Sequence, residues 1–336
     1  MEGTVAGRCF TDVSVQGSVG AIASRTGFSV WAPVLDGTDR LGVLELVFDE
    51  EVELDEGLVT DVGLLAALVA ELVMSRSLIG DFVERERRRL PMLLEAELQW
   101  NLLPPLTFAS TVASIAGVLA PTNEVAGDSF DYAVNGDIAH LCIVDAMGHG
   151  LDATLMSAVA IGALRNARRS GLDLLDTTRS MNKHLAAQFG ESKFVTAIVG
   201  ELDTRSGMWR WVNAGHPAAL IVRGGRVVKE LNSVINPPLG LQSEAPLVGE
   251  ERLERSDRLL LYTDGVIEAR DAHGEFFGSA RLVDLVSREA AAGRTAAETM
   301  RRLNLAILAH QEGFLQDDAT TLMVEWSSAE ARRMQV

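Results

Sequence analysis

Three apolar runs of strand length, each joined to an aspartate, constrain this chain more than anything else in it. Ile138-Ala-His-Leu-Cys-Ile-Val144 leads into Asp145, Arg258-Leu-Leu-Leu-Tyr-Thr263 leads into Asp264-Gly265, and Asp317-Asp318 opens Ala319-Thr-Thr-Leu-Met-Val-Glu-Trp326. A further aspartate, Asp128, lies in a Gly-Asp-Ser break one strand before Asp145. Such runs bounded by turn residues read as buried strands. In antiparallel sheets an outgoing strand end shares a rim with the incoming start of its neighbour. The pattern therefore predicts that Asp128, Asp145, Asp264 and Asp317 gather at one rim. Carboxylates so placed repel unless a cation lies between them. With no histidine or cysteine at ligand spacing among them, the donor set is all oxygen, which suits Mg²⁺ or Mn²⁺ rather than Zn²⁺.

The 336 residues are enough for two domains with a real core. A formal charge of −17 argues against a nucleic-acid binder and against an anionic membrane surface, since both need a basic face. The two cysteines, Cys9 and Cys142, make no disulfide framework, which suits a reducing cytoplasm. The chain opens without a basic-then-apolar leader, and no run reaches the roughly 18 uninterrupted apolar residues of a membrane span. The expectation is a cytoplasmic protein.

Along the chain, Phe28 to Val34 and Leu41 to Phe48 flank a turn-prone Leu-Asp-Gly-Thr-Asp-Arg and predict a hairpin. An amphipathic helix is expected over about residues 55–75, with Leu58, Val62, Leu65, Leu68, Val69 and Leu72 as its apolar stripe. Residues 1–76 resemble the second half of a GAF sensory domain, with a structural, dimerising or ligand-binding role. Residues 77–104 form a helical linker: a charge run at 84–90, then a helix started by Pro91 and stopped by Pro104-Pro105, with Leu94, Leu98 and Leu102 on one face. That face serves either packing or contact with a second copy. From residue 105 strands cluster, then helices over 151–164 and 174–189, then strands again. The class is α+β with mainly antiparallel sheets.

The motifs Gly127-Asp128-Ser-Phe-Asp131, Asp145-Ala-Met-Gly-His-Gly150, Asn213-Ala-Gly-His-Pro217, Asp264-Gly265 and Asp317-Asp318-Ala-Thr stand in the order found in a known family. They resemble the metal-dependent type 2C protein serine/threonine phosphatases, in the bacterial SpoIIE-like branch that acts in partner-switching control of sigma factors. The resemblance covers residues 105–327 and leaves 328–336 as a tail. One departure is Ala146, where many type 2C enzymes have glycine. The phosphate-binding arginine of the eukaryotic relatives has no clear counterpart.

The resemblance implies two central antiparallel β-sheets sandwiched between helical layers, with two Mn²⁺ or Mg²⁺ ions at one end. On this basis Asp145 bridges the ions, the Ala146 carbonyl helps hold one, and Asp128, Asp264 and Asp317 complete the shell around an activated water. Asp131 and Asp318 either hydrogen-bond waters or cap backbone. His149 either protonates the leaving oxygen or orients the site, and His216 belongs to a bracing loop. The implied substrate is a phosphorylated anti-sigma-factor antagonist of the STAS type or a similar phosphoprotein. A module that binds such a partner with little or no catalysis is the alternative.

Overall fold

The computed structural model describes residues 4–22, 25–36, 39–77, 93–120, 127–190, 192–241, 245–311 and 318–326. Asp317, the charge run at 84–90 and the tail at 328–336 lie outside the described residues. The chain divides into two compact units between Pro91 and Met92.

In the first unit, helix α1 (Val5–Asp12) is capped by Thr4, whose hydroxyl accepts from the Gly7 amide. An antiparallel sheet follows, β1 (Gln16–Ile22), β2 (Arg25–Asp36) and β3 (Asp39–Phe48), with β2 in the centre. The expected hairpin is β2 and β3; α1 and β1 are elements that the sequence reading did not assign. Helix α2 (Glu56–Ser77) lays Val62, Ala66 and Ala70 against Phe28, Val30, Ala32 and Val34 of the sheet. Of the expected stripe, Leu58, Val62 and Val69 pack, whereas Leu65, Leu68 and Leu72 are exposed. The helix carries apolar residues on several faces, and its small alanines allow the closest approach to the sheet. It is also long and apolar enough to pass for a membrane span by length and composition, although Asp61 and Glu71 interrupt its apolar run, as the expectation of no uninterrupted span requires.

The second unit starts with α3 (Leu94–Leu102). The helix expected to belong to a linker ending at 104 thus packs within the second unit. Two strands follow, a short β4 (Thr107–Ala109) and β5 (Ala113–Ala120). Next come β6 (Ser129–Asn135), β7 (Ile138–Ala146), the helices α4 (Leu151–Arg169) and α5 (Leu174–Phe189), then β8 (Val195–Asp203) and β9 (Met208–Ala214). The chain continues through β10 (Leu220–Arg223), β11 (Arg226–Glu230), β12 (Gly249–Arg252), β13 (Arg258–Tyr262), the short α6 (Asp264–Ile267), α7 (Gly278–Ala291), α8 (Ala296–His310) and β14 (Ala319–Trp326).

Two antiparallel sheets result, ordered β11-β10-β13-β14-β5-β4 and β12-β9-β8-β7-β6. Strand alternation sorts their side chains into layers. Phe130, Leu141, Ile143, Leu259, Leu261, Leu322 and Val324 meet in the core between the sheets, with Trp209 and Trp211. Cys142 and Val144 turn the other way, to α4 and α5, while Leu260, Tyr262 and Met323 turn to α7 and α8. The sandwich of two sheets between helical layers is the architecture expected from the resemblance. The outer layer made by α7 and α8 was not assigned from sequence, although Thr295 caps α8 in the ordinary way.

Candidate metal centre

Asp128 precedes β6 and Asp145 ends β7, and the register that pairs Ser129 with Val144 sets them at the same end of the sheet. Both have the parity of residues that face the inter-sheet core: Phe130 on β6, Leu141 and Ile143 on β7. From the opposite sheet, Thr263 follows β13 and Asp318 precedes β14, in the register that pairs Tyr262 with Thr321. The Thr263 hydroxyl donates to Asp128 Oδ2 at 2.7 Å, so the two sheets meet at this rim. Gly265 is required here: a Cβ on it would overlap the Asp318 carbonyl oxygen, so its absence lets Asp264-Gly265 lie against Asp318. Gly127 allows a second close approach, to the Ala146 carbonyl and to Ala153 of α4.

Asp128 is only 3% exposed. Burial pushes its carboxyl well above the ordinary range, and the neighbouring Asp145 and Asp318 carboxylates push it further. Three acids from two sheets therefore bear on one buried corner. Asp145 is half-buried and Asp264 exposed, at the solvent side of the rim. Among the described residues no three carboxylate, histidine or cysteine side chains are spaced to close on one ion. Asp317, expected as a ligand, is outside them. The donors that are described fit a hard divalent cation: they are carboxylates, and their mutual repulsion is what such an ion relieves.

Asp318 joins the rim rather than standing apart as a backbone cap. The side-chain amide of Gln99, on α3, donates to its Oδ2 at 2.8 Å. Asp131 does not join. Three residues beyond Asp128, it has the opposite strand parity and faces the helical layer. There Arg165 and Arg168 of α4 each reach its carboxylate at 2.7 Å, and it is only 2% exposed. Its role is to anchor α4 on the sheet. Ala146 is buried, with its carbonyl against Gly127, and His149 is exposed in the loop before α4.

His216 lies behind the rim. The Asn213 side chain accepts from the His216 amide and donates to the His216 carbonyl, both at 2.8 Å, which closes the Asn-Ala-Gly-His loop on itself. His216 Nδ1 is 2.8 Å from the Thr196 hydroxyl, and Thr196 is the strand partner of Asp145. Burial lowers the His216 pKa from 6.5 to about 3, so the ring is neutral at physiological pH. The unfolded chain takes up this proton near 6.5 and the folded one does not until about 3. Stability is thus lost as pH falls below 6.5, by about 1.4 kcal/mol per unit. Denaturant titrations at pH 7.5 and 5.5 are expected to show this loss in the wild type relative to His216→Gln. Equal pH dependence of the two proteins would exclude a buried neutral ring.

The sequence reading missed Gln99 altogether, since a neutral amide on an apolar helix carries no local signal of what it will touch. It also missed Thr263, whose hydroxyl reads as ordinary strand composition.

A profile of the family described as Stage II sporulation protein E (SpoIIE) matches residues 135–327. Protein IcfG of Synechocystis sp. is 24% identical over 323 residues, covering 87% of this chain and 50% of that protein. Phosphoserine phosphatase RsbP of Bacillus subtilis is 28% identical over 153 residues, covering 44% of this chain and 38% of its own length. The chain spans half or less of both relatives. The solved RsbU and RsbW domains of Rv1364c from Mycobacterium tuberculosis superpose with a TM-score of 0.56 and 28% identity, over 64% of this chain and 60% of that one. The family match takes in more than half of the chain and includes β7 with Asp145 and β13 with the Asp264 turn: the chain belongs to the SpoIIE family.

Proposed function

We propose that this chain is a divalent-metal-dependent phosphatase that hydrolyses phosphoserine or phosphothreonine on a regulatory protein, an anti-sigma-factor antagonist of the STAS type. The observation that carries the proposal is the buried Asp128 carboxylate, pressed by Asp145 and Asp318 from two different sheets. Asp128, Asp145, Asp264 and Asp317, with the Ala146 carbonyl, are the residues proposed to hold two Mn²⁺ or Mg²⁺ ions. When bound, such ions supply an acidified water and positive charge for the phosphoryl oxygens.

The chain's own groups contribute the rest. Backbone N–H groups at the start of α4 point toward an anion placed beyond Gly150, and the helix dipole favours negative charge there. His149, exposed at the mouth, is the ring that a protein substrate can reach, and it is the proposed proton donor to the leaving serine or threonine oxygen. His216, neutral and buried, orients Thr196 behind Asp145 and takes no part in proton transfer. The first unit is proposed as the regulatory segment.

The test is hydrolysis of p-nitrophenyl phosphate and of a phosphorylated STAS protein with Mn²⁺ present. Activity is expected to vanish in chelator and in Asp145→Asn, with an unchanged circular dichroism spectrum. Turnover that survives chelation, or survives in that variant, refutes the proposal.

A further inference from the structure

Gln99 is 1% exposed and belongs to a helix outside both sheets. Its Nε2 donates twice, to the Asp128 carbonyl oxygen at 2.6 Å and to Asp318 Oδ2 at 2.8 Å. Asp128 sits at the rim of one sheet and Asp318 at the rim of the other, so one amino group spans the sandwich. Both partners are acceptors, which fixes the amide with its nitrogen toward the acids. The Gln99 Oε1 finds no partner among the described residues. A buried amide that leaves its oxygen unpaired to place its nitrogen between two acceptors forgoes one hydrogen bond to make two others, one of them to a carboxylate.

The helix that carries Gln99 is itself held firmly. Arg165 Nη2 donates to the Leu102 carbonyl at 2.7 Å while the same guanidinium pairs with Asp131. Tyr132 Oη donates to the Pro105 carbonyl at 2.7 Å just beyond the helix. A donor on a fixed helix sets the position of what it holds.

We infer that Gln99 is a positioning residue for the divalent-ion site: it ties the Asp318 carboxylate to the backbone of Asp128 and so holds the rims of the two sheets in register. This inference rests on the proposal that the rim binds metal. Partners that orient a metal site from outside it change affinity by roughly 10–100-fold when removed. Gln99→Met keeps the length and volume of the side chain and deletes both hydrogen bonds, so a packing role alone predicts no change.

The experiment is calorimetric titration of Mn²⁺ into the metal-free full chain, for wild type, Gln99→Met, Asp318→Ala and the double variant. Gln99→Met is expected to weaken Mn²⁺ binding about tenfold or more. On the Asp318→Ala background the same change is expected to cost less than about twofold, because the acceptor through which Gln99 acts is gone. Binding by Gln99→Met within about twofold of wild type overturns the inference, as does a full and independent loss on the Asp318→Ala background. Should Gln99→Met not fold, Gln99→Asn, which keeps the amide but shortens its reach, takes its place with the same expectation. If neither folds, Gln99 is a structural requirement and the positioning role is rejected. Absence of Mn²⁺ binding by the wild type is a different result, and it defeats the metal-dependent reading itself.

Discussion

Asp128→Asn is expected to melt at a higher temperature than the wild type in chelator, while losing at least about 10³-fold of any phosphatase activity. The two effects share one cause. At neutral pH the buried Asp128 carboxyl faces Asp145 and Asp318, which raise its pKa together with burial. A carboxyl whose folded pKa lies above its unfolded value destabilises the fold at high pH, and the penalty fades as pH falls from the folded value to the unfolded one. Asparagine removes that penalty and keeps an oxygen to accept from the Thr263 hydroxyl, which is 2.7 Å from Asp128 Oδ2 in the wild type. Relief of about 2 kcal/mol, modest beside the several kcal/mol that a buried ion costs, corresponds to about 4–8 °C in a domain of this size. Added Mn²⁺ should then raise the melting temperature of the wild type and leave that of the variant nearly unmoved, because only a state that binds the ion is stabilised by it. A variant that melts lower than wild type in chelator would show that the Asp128 charge is already compensated.

Gly265→Ala is expected to cost about 10²-fold in activity or more, with a clear loss of Mn²⁺ affinity. The Cβ it introduces overlaps the Asp318 carbonyl oxygen, a backbone atom that cannot swing aside like the end of a side chain. Accommodation must therefore separate the Asp264 turn from the start of β14 by a good fraction of an ångström or more. The contrasting substitution is Gly162→Ala on α4, where a Cβ meets nothing within 4 Å. Alanine there should stabilise by about 0.5–1 kcal/mol through its higher helix propensity, and leave activity alone. Wild-type turnover in Gly265→Ala would mean that the rim tolerates a shift it should not.

How far the site could be read in advance depended on whether the relevant contact left a trace in local pattern. Asp145 and Asp128 were legible because apolar runs ending in acid and turn residues announce where strands stop, and consecutive antiparallel strands bring those stops together. Asp264 was legible for the same reason, but at the start of β14 the reading chose Asp317, which lies outside the described residues, over its neighbour Asp318, whose carboxylate accepts from Gln99 at the rim. Asp131 was misplaced although strand parity, three residues from Asp128, already turns it to the other face; proximity in sequence outweighed alternation. The packed face of α2 was misjudged because leucines lie on several of its faces, so hydrophobic spacing alone does not select Val62, Ala66 and Ala70. Gln99 was out of reach altogether. Its hydrogen bond to Asp318 joins residues 219 apart, and only the folded chain brings them together.

In the six-stranded sheet, β14 pairs with β13 on one side and β5 on the other, although it follows every other described strand in sequence. A chain emerging from the ribosome thus holds β5 and β13 apart with a gap at the centre until its β14 segment has been made. Until that segment inserts, the acids from the two halves have no common frame, so a partly synthesised chain should be catalytically silent. Premature termination anywhere before β14 is then expected to yield a misfolded product and not an unregulated enzyme.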